Sequence, residues 1–572
     1  MSIPSDCTIL VVGGGPAGSY TAAVLAREGF DVVVLEADTF PRYHVGESML
    51  PSMRHFLKFI DCFDKWEACG FQIKNGGAFR LDHSYPDTYT DFLATGGAEG
   101  YAWNVSRSEA DELLFKHAGD CGAKIFDSTK VTSLNFERLP VVDERSNAPE
   151  MDLGRPVSAA WTCKDGRSGK ISFRYIVDAS GRRGLLSTEY LKNRKMNQGL
   201  KNVASWGYWK DGGIYGPGTY KEGSPYFEAL TDGSGWCWFI PLRDGTHSVG
   251  VVQNQEIAAA KKREAGRSST KDFYMQSLEL VPGINHLLSK GELVSQVRSA
   301  SDWSYSASSY AMPYARIAGD AGSFIDPFFS SGVHLALLGG LSAAVTIAAA
   351  LRNDCDEDTA ASWHTKRISE SYTRFLVIVL SASKQIQHQN KPVIHDFDEE
   401  TFERAFDLFK PIIQGTVDAG VEGKPTQADV SKAIEFCFRA FTPVPEEQQD
   451  ALIQKLQDLG MDGEVDDEKK ERVIEEIQKS LTPDESRILD ILRGRRMLRA
   501  EDAINLVSFT SDSIDGLAPN MVHGKLGLVK AEPEKMSEAQ LYSVSFLRGH
   551  RPNITTKRGD KICQVPTQES DI

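Results

Sequence analysis

Gly13, Gly15 and Gly18 stand in the spacing Gly-x-Gly-x-x-Gly directly after the β-branched run 8–12. Glycine at the first position permits a tight turn, at the second close approach of the backbone to a pyrophosphate, and at the third close packing of a helix on a strand. The unpaired N–H groups at the start of the following helix attract the anion. Glu36 lies 18 residues after Gly18, near the spacing at which a carboxylate takes a pair of ribose hydroxyls. A bare glycine motif is weak evidence, since a surface turn can carry the same letters. With strand, helix and acid all in place, the unit reads as a dinucleotide site that does not by itself separate FAD from NAD.

Three further places carry residues with chemical potential. Lys74 sits in a Gly- and Asn-rich stretch, Trp236 and Trp238 stand two apart, and Ser331-Gly332 precedes an uncharged apolar run. Taken singly each has an ordinary explanation. A loop lysine is solvated, two tryptophans at a spacing of two share one strand face, and Ser-Gly before a helix is a cap.

The elements that must position these residues follow from the pattern. Residues 8–12, 22–27 and 31–35 read as strand, helix and strand around the glycine turn. Residues 74–103 lack helical period and read as loops and strands, 107–118 as helix, and 171–177 as a strand running into Asp178-Ala-Ser-Gly-Arg182. Between 202 and 252 aromatics alternate with glycines, which predicts an antiparallel sheet. Residues 318–351 return to strand, turn and helix. The stretch 335–351 has no charge and contains glycines and many alanines, so a buried helix explains it better than a membrane span. Beyond 396 the sequence is charged and helix-favouring, including 446–455 and 468–480. The acidic stretch 462–468 lacks the ordered positions of a calcium loop and reads as a solvated turn. The last fifteen residues are polar and read as loose.

Composition narrows the partners. The 572 residues hold 64 Lys+Arg against 79 Asp+Glu, a net charge of −15. That balance disfavours nucleic acid and anionic membrane surfaces, which need clustered cations. Nine cysteines are scattered without Cys-x-x-Cys spacing, so neither structural zinc nor a disulfide framework is expected, and no other metal site is. The N-terminus lacks the features of a signal peptide, which predicts a cytoplasmic protein. The glycosylation-type triplets at Asn104 and Asn553 then carry no meaning.

Read in order along the chain, the motifs resemble a known family. Ala318-Gly319-Asp320-Ala321 resembles the second FAD fingerprint of p-hydroxybenzoate-hydroxylase-like flavoproteins, in which the aspartate contacts the ribityl chain. Asp178 to Arg182 and Arg107 resemble further parts of that fold. Trp236-Cys237-Trp238-Phe239-Ile240-Pro241 matches the Trp-x-Trp-x-Ile-Pro signature of flavin-dependent halogenases. Phe324 to Gly332 matches their Phe-x-x-Pro-x-x-Ser-x-Gly pattern, and Lys74 occupies the place of their catalytic lysine. The resemblance covers most of the first 350 residues. It is closest to the fungal phenolic, radicicol-halogenase-like branch, including the segment from Arg42 to Pro51.

The resemblance implies an α/β FAD-binding fold with an antiparallel-sheet substrate domain and a helical C-terminal region. The FAD-binding domain would comprise 1–75, 100–200 and 300–395, the substrate-side sheet 76–99 and 201–299, and the helical region 396–572. Gly13, Gly14, Gly15, Ala17, Gly18, Glu36, Glu47, Arg107, Asp320 and Val333 would hold FAD. Backbone N–H groups of Ser331 and Gly332 would hold chloride or bromide. Trp236, Trp238, Ile240, Pro241, Phe328 and Phe329 would line the passage to the substrate.

The implied reaction starts from reduced FAD and O2, which give a flavin hydroperoxide. Halide attack then yields hypochlorous acid, or its bromine analogue. Lys74 would either donate a hydrogen bond to that acid as an ammonium or form a chloramine as a free amine. The ring is attacked ortho or para to a phenolic oxygen. Tryptophan halogenases carry a glutamate where this chain has Phe329, and its loss fits a phenol, which stabilises its own cationic intermediate. No second glycine loop follows a strand, which implies a separate flavin reductase. The rival enzyme is an aromatic hydroxylase on the same fold, and a rival of another class is a flavin-binding protein without turnover.

Overall fold

The computed structural model describes residues 2–84, 86–93, 97–138, 153–197, 200–264, 266, 269–301, 304–387, 446–458, 479–497, 509–510 and 513–531. The β-branched N-terminal run forms the strand Asp6–Val12 inside an eight-stranded sheet. Val32–Leu35 and Ser168–Asp178 flank it, both parallel, and Ala315–Ile317 runs parallel to Ser168–Asp178. Parallel strands are joined by crossovers that cover both sheet faces, so such strands are apolar throughout instead of alternating. Ile9, Leu10, Val11, Val33 and Val34 are all buried accordingly.

The register aligns the carboxyl ends of these strands in one row: Val12 pairs with Leu35 and Asp178, and Asp178 with Ile317. The glycine turn, Glu36, Ala179 to Arg182, and Ala318 to Asp320 therefore all leave the same edge of the sheet. Ligands of open α/β sheets bind outside that edge.

A second eight-stranded sheet contains Asn202–Lys210, His247–Asn254, Gly235–Pro241 and Tyr226–Ala229, paired antiparallel in that order. Gly76–Arg80 adds to Tyr226–Ala229 in parallel, and Thr88–Asp91 closes that side. Alternation along Gly235–Pro241 divides its side chains between two cores. Cys237 and Phe239 face a cluster with Tyr274 and Val281, while Trp236, Trp238 and Ile240 face one with Phe227 and Phe328.

The uncharged stretch forms the helix Gly332–Arg352, which is long and apolar enough to cross a membrane but has 94% of its apolar window buried inside the protein. Its small residues explain that place. A Cβ on Gly340 would lie 2.7 Å from the Ala17 carbonyl oxygen, so only glycine lets this helix lie against Pro16–Arg27. Thr21 Oγ1, on the second helix, donates to the Gly340 carbonyl at 3.2 Å.

Towards the C-terminus, the helices Glu446–Asp458 and Pro483–Met497 pack together. A hairpin of Leu517–Asn520 and Gly527–Lys530 lies on the helix Gly332–Arg352. The charged, helix-favouring composition of this region gave no signal for that hairpin. Glu28 anchors it by accepting the N–H groups of Gly524 at 2.9 Å and Leu526 at 3.1 Å. The expected acidic turn 462–468, most of the expected helix 468–480, Asn553 and the last fifteen residues lie outside the described residues.

Candidate functional site

The glycine loop is shaped by two close approaches. Gly13 has φ +106°, and a Cβ there would lie 2.2 Å from the Ala179 carbonyl oxygen; a Cβ on Gly18 would lie 1.9 Å from the Gly13 carbonyl oxygen. Both positions exclude a side chain. Gly14 packs against Phe115 and Glu36. The helix Pro16–Arg27 starts here with no acidic residue in its first turn, leaving the positive end of its dipole uncompensated. Glu36 is held at both oxygens, accepting the Gly14 N–H at 2.6 Å and the Asp38 N–H at 2.8 Å. Arg42, at the start of the segment that runs to Pro51, reaches within 3.3 Å of where a Gly15 Cβ would be. Its guanidinium is tied to Asp111 at 3.0 Å.

Above this loop lies a cavity of about 490 Å³. Gly13, Gly15, Ala17 and Glu36 line it, and so do Glu47, Arg107 and Asp320. Gly332 and Val333 contribute from the long buried helix, and Trp236, Trp238 and Ile240 from the second sheet. Burial raises the Asp320 carboxyl to about 6, against the opposing pull of Arg107. No hydrogen bond from the described residues satisfies its carboxylate. A glycine cradle, a helix start, an acid at the ribose spacing and a half-buried carboxyl without a donor among the described residues together fit a dinucleotide.

Phe328, Phe329, Ser331 and Pro241 do not form part of this cavity's wall. Phe328 is buried, 4.9 Å from the Trp236 ring in an edge-to-face contact. Phe329 is partly buried and packs against two clusters, that of the tryptophans and another that holds Phe92 and Phe375. Ser331 is buried as the N-cap of the helix Gly332–Arg352, whose first turn carries no acid. The Pro241 carbonyl accepts a hydrogen bond from Asn104 Nδ2 at 3.1 Å. Trp238 fills the space over Gly250, where a Cβ would lie 2.1 Å from its ring, and its Nε1 donates to Ser248 Oγ at 3.1 Å.

Lys74 is at the end of a strand and not in an open loop. Gln72–Lys74 pairs antiparallel with Ala102–Asn104, which draws the side chain inward. Lys74 is 3% exposed. Its Nζ donates to Ser48 Oγ and to the Met49 carbonyl, both at 2.9 Å, and lies 5.1 Å from the centre of the Phe92 ring. Burial lowers its pKa from the usual lysine range to about 7, because an ammonium loses its hydration there. Ser48 itself lines the cavity, so one residue touches both the cavity and the amine.

The segment that carries Ser48 is clamped along its length. Arg107 Nη1 donates to the carbonyls of Val45 at 3.1 Å and Gly46 at 3.2 Å. The other guanidinium nitrogens of Arg107 meet Asp111 at 2.8 and 3.0 Å. Val105 N–H donates to the Glu47 carbonyl at 2.8 Å, and Met49 N–H to the Trp103 carbonyl at 2.9 Å. The Glu47 side chain accepts from Tyr208 Oη at 2.7 Å, and burial raises its pKa. Asp111 was legible as an acid four residues after Arg107 on a helix. Ser48 and Tyr208 become visible only in three dimensions.

Comparisons with known proteins give the family. The family model described as tryptophan halogenase matches residues 8–105 and 94–393. The flavin-dependent halogenase ascD of Acremonium egyptiacum is 52% identical over 93% of this chain and 94% of its own length. The sulochrin halogenase gedL of Aspergillus terreus is 51% identical over 94% of this chain and 96% of its own. Among solved structures, the myxobacterial chondrochloren halogenase CndH is 26% identical, with a TM-score of 0.60 over 77% of this chain and 98% of its own. These relatives are matched over most of their length, and their flavin dependence implies FAD as the cofactor. The chain belongs to the flavin-dependent halogenases, oxidoreductase flavoproteins.

Proposed function

We propose that this halogenase chlorinates an electron-rich phenolic ring of a small, polyketide-type molecule in secondary metabolism, and that Lys74 delivers the halogen. The observation that carries this reading is a buried amine whose hydrogen-bond partner, Ser48, also forms part of the cavity wall. Bound reduced FAD, held by the glycine loop, Glu36 and Asp320, supplies the reducing equivalents with which O2 oxidises the halide. Chloride, or bromide in its place, is taken at the N–H groups of Ser331 and Gly332, where the helix start attracts an anion without a cation that would trap it.

Two of the three ammonium protons of Lys74 are engaged by Ser48 and Met49, leaving the third for the oxygen of a hypohalous acid. That hydrogen bond makes hydroxide a better leaving group and the halogen more electrophilic. The aromatic ring is received beside Phe92 and Phe329, with Phe375 and Val379 of the helix Glu357–Gln387 in the same apolar cluster. No carboxylate stands at position 329, which suits a ring that stabilises its own positive charge. The proposed substrate diffuses freely, and one relative is named as a sulochrin halogenase. A separate reductase supplies the reduced flavin, and the reaction takes place in the cytoplasm.

The test is mass spectrometry of reactions holding the protein, FAD, a flavin reductase, chloride or bromide, and a panel of phenols. A halogen isotope pattern on a phenol is expected. Hydroxylated products without halide dependence would contradict the reading.

A further inference from the structure

Glu47 is linked to the protein surface by a line of hydroxyl groups. Its Oε1 accepts from Tyr208 Oη at 2.7 Å, and Tyr208 Oη lies 3.2 Å from Tyr43 Oη. Tyr208 Oη is placed as the donor in both contacts but has one proton, which the shorter contact to Glu47 takes. Trp206 Nε1 donates to Tyr43 Oη at 2.7 Å, and the Arg298 guanidinium lies over the Tyr43 ring at 4.0 Å. The hydroxyl groups thus run from Tyr43, which is 43% exposed, to Glu47, which is 3% exposed and lines the cavity. The groups that face Glu47 are Tyr208, the Gly46 N–H at 3.2 Å, Ser248 Oγ at 3.5 Å, and the Arg107 guanidinium through its charge. Arg107 spends its hydrogen bonds on Asp111 and on two carbonyls.

The overall reaction consumes a proton. Neutral reduced flavin, O2, halide and an aromatic C–H become oxidised flavin, a carbon–halogen bond and two waters, a sum that takes up one proton. Glu47 lines the cavity yet is 3% exposed, and its Oε1 meets the hydroxyl of Tyr208. We propose that Tyr43, Tyr208 and Glu47 form the path by which this proton enters, with Glu47 as the group that releases it into the cavity. Glu47 gives its proton to an oxygen atom derived from O2, and its O–H bond breaks. The carboxylate takes the Tyr208 proton, Tyr208 takes that of Tyr43, and Tyr43 takes one from water. Each hydroxyl ends with one proton, and rotation of the Glu47 carboxyl resets the line. Burial holds the carboxyl towards its protonated form and the Tyr208 hydroxyl far from ionisation, which keeps the waiting state charge-free.

The inference rests on the halogenase reaction and is independent of the role proposed for Lys74. Its test begins with the protein without flavin, by infrared spectroscopy on rapid mixing into D2O. A protonated-carboxyl band is expected in the wild type and absent in Glu47→Gln. Exchange of that band should slow by about tenfold or more in Tyr208→Phe, which keeps the ring and removes the relay oxygen, and should be unchanged in Lys74→Ala. In the FAD-loaded enzyme, Tyr208→Phe should lower kcat, leave the KM for the phenol unchanged and raise the solvent deuterium isotope effect. No protonated band from Glu47, or an exchange rate in Tyr208→Phe equal to that of the wild type, would overturn the proposal. So would an unchanged isotope effect.

Discussion

The amine of Lys74 lies 2.9 Å from Ser48 Oγ, and Ser48 forms part of the wall of the flavin cavity. The pairing of Gln72–Lys74 with Ala102–Asn104 fixes the lysine backbone, and the isolated bridge of Ser48 to Asn104 fixes the serine on the same strand. One short strand therefore sets the separation of the two groups. A change at Ser48 should be felt by the amine without disturbing the phosphate loop, which is anchored elsewhere.

Ser48→Ala removes one acceptor from the buried amine and leaves the Met49 carbonyl as its hydrogen-bond partner among the described residues. The loss of a hydrogen bond to a charged group corresponds to about 1.5–3 kcal/mol. We expect kcat for halogenation to fall by one to two orders of magnitude on that scale, with FAD content unchanged by absorbance. Equal kcat in the variant would separate Ser48 from the lysine's function.

The pKa of Lys74, about 7, is below the unfolded value near 10.4. Between those values the unfolded chain binds more protons, so stability rises with pH across the window. Below about pH 7 the folded protein carries the full penalty of a buried ammonium. Lys74→Met abolishes that slope, and its unfolding free energy relative to wild type should be most favourable below pH 7 and decline towards pH 10. The total change should be a few kcal/mol, about 1.4 per pKa unit. Parallel pH profiles for the two proteins in denaturant titrations would contradict the buried charge. If the ammonium is the working form, kcat falls as pH rises through about 7, whereas a chloramine route would make it rise.

Gly15 and Gly18 should fail in different ways. Gly15 lines the cavity, and its Cβ would meet only Arg42, whereas a Cβ on Gly18 would collide with the Gly13 carbonyl. Gly15→Leu should therefore fold and lose FAD, and Gly18→Ala should lose thermal stability as well. Stoichiometric FAD in purified Gly15→Leu would contradict the placement of the pyrophosphate at this loop.

Trp236 packs on Phe328 and Trp238, and truncating a buried tryptophan leaves a cavity. Trp236→Ala should cost about 3–5 kcal/mol of stability. Gly250→Val, whose side chain would enter the space of the Trp238 ring, should displace that ring and disturb the cavity wall. Near-ultraviolet circular dichroism should then lose tryptophan signal, and an unaltered spectrum would contradict the packing.

The nucleotide end of the site was legible because local physics writes it into the sequence. A strand, a tight glycine turn and a helix start are adjacent in the chain, and the acid lies at the end of the next strand. The tryptophans were legible for the same reason, since a spacing of two places them on one strand face. The burial of Lys74 was not, because the local sequence around it reads as an open loop. Only the pairing with residues near 103 and the return of the segment 45–49 exclude water from it. Nor could spacing disclose Tyr208 beside Glu47, 161 residues away. The C-terminal hairpin is held by Glu28 and Asp354, contacts between distant parts of the chain that no local periodicity announces.

The central claim is tested most directly by Lys74→Ala in the mass-spectrometric assay with reductase, halide and a phenol that the wild type halogenates. The protein should bind FAD as the wild type does and consume reduced flavin and O2, yet form no carbon–halogen bond above the level of a protein-free control. A halogenated phenol formed by Lys74→Ala at the wild-type rate and ring position would contradict the account.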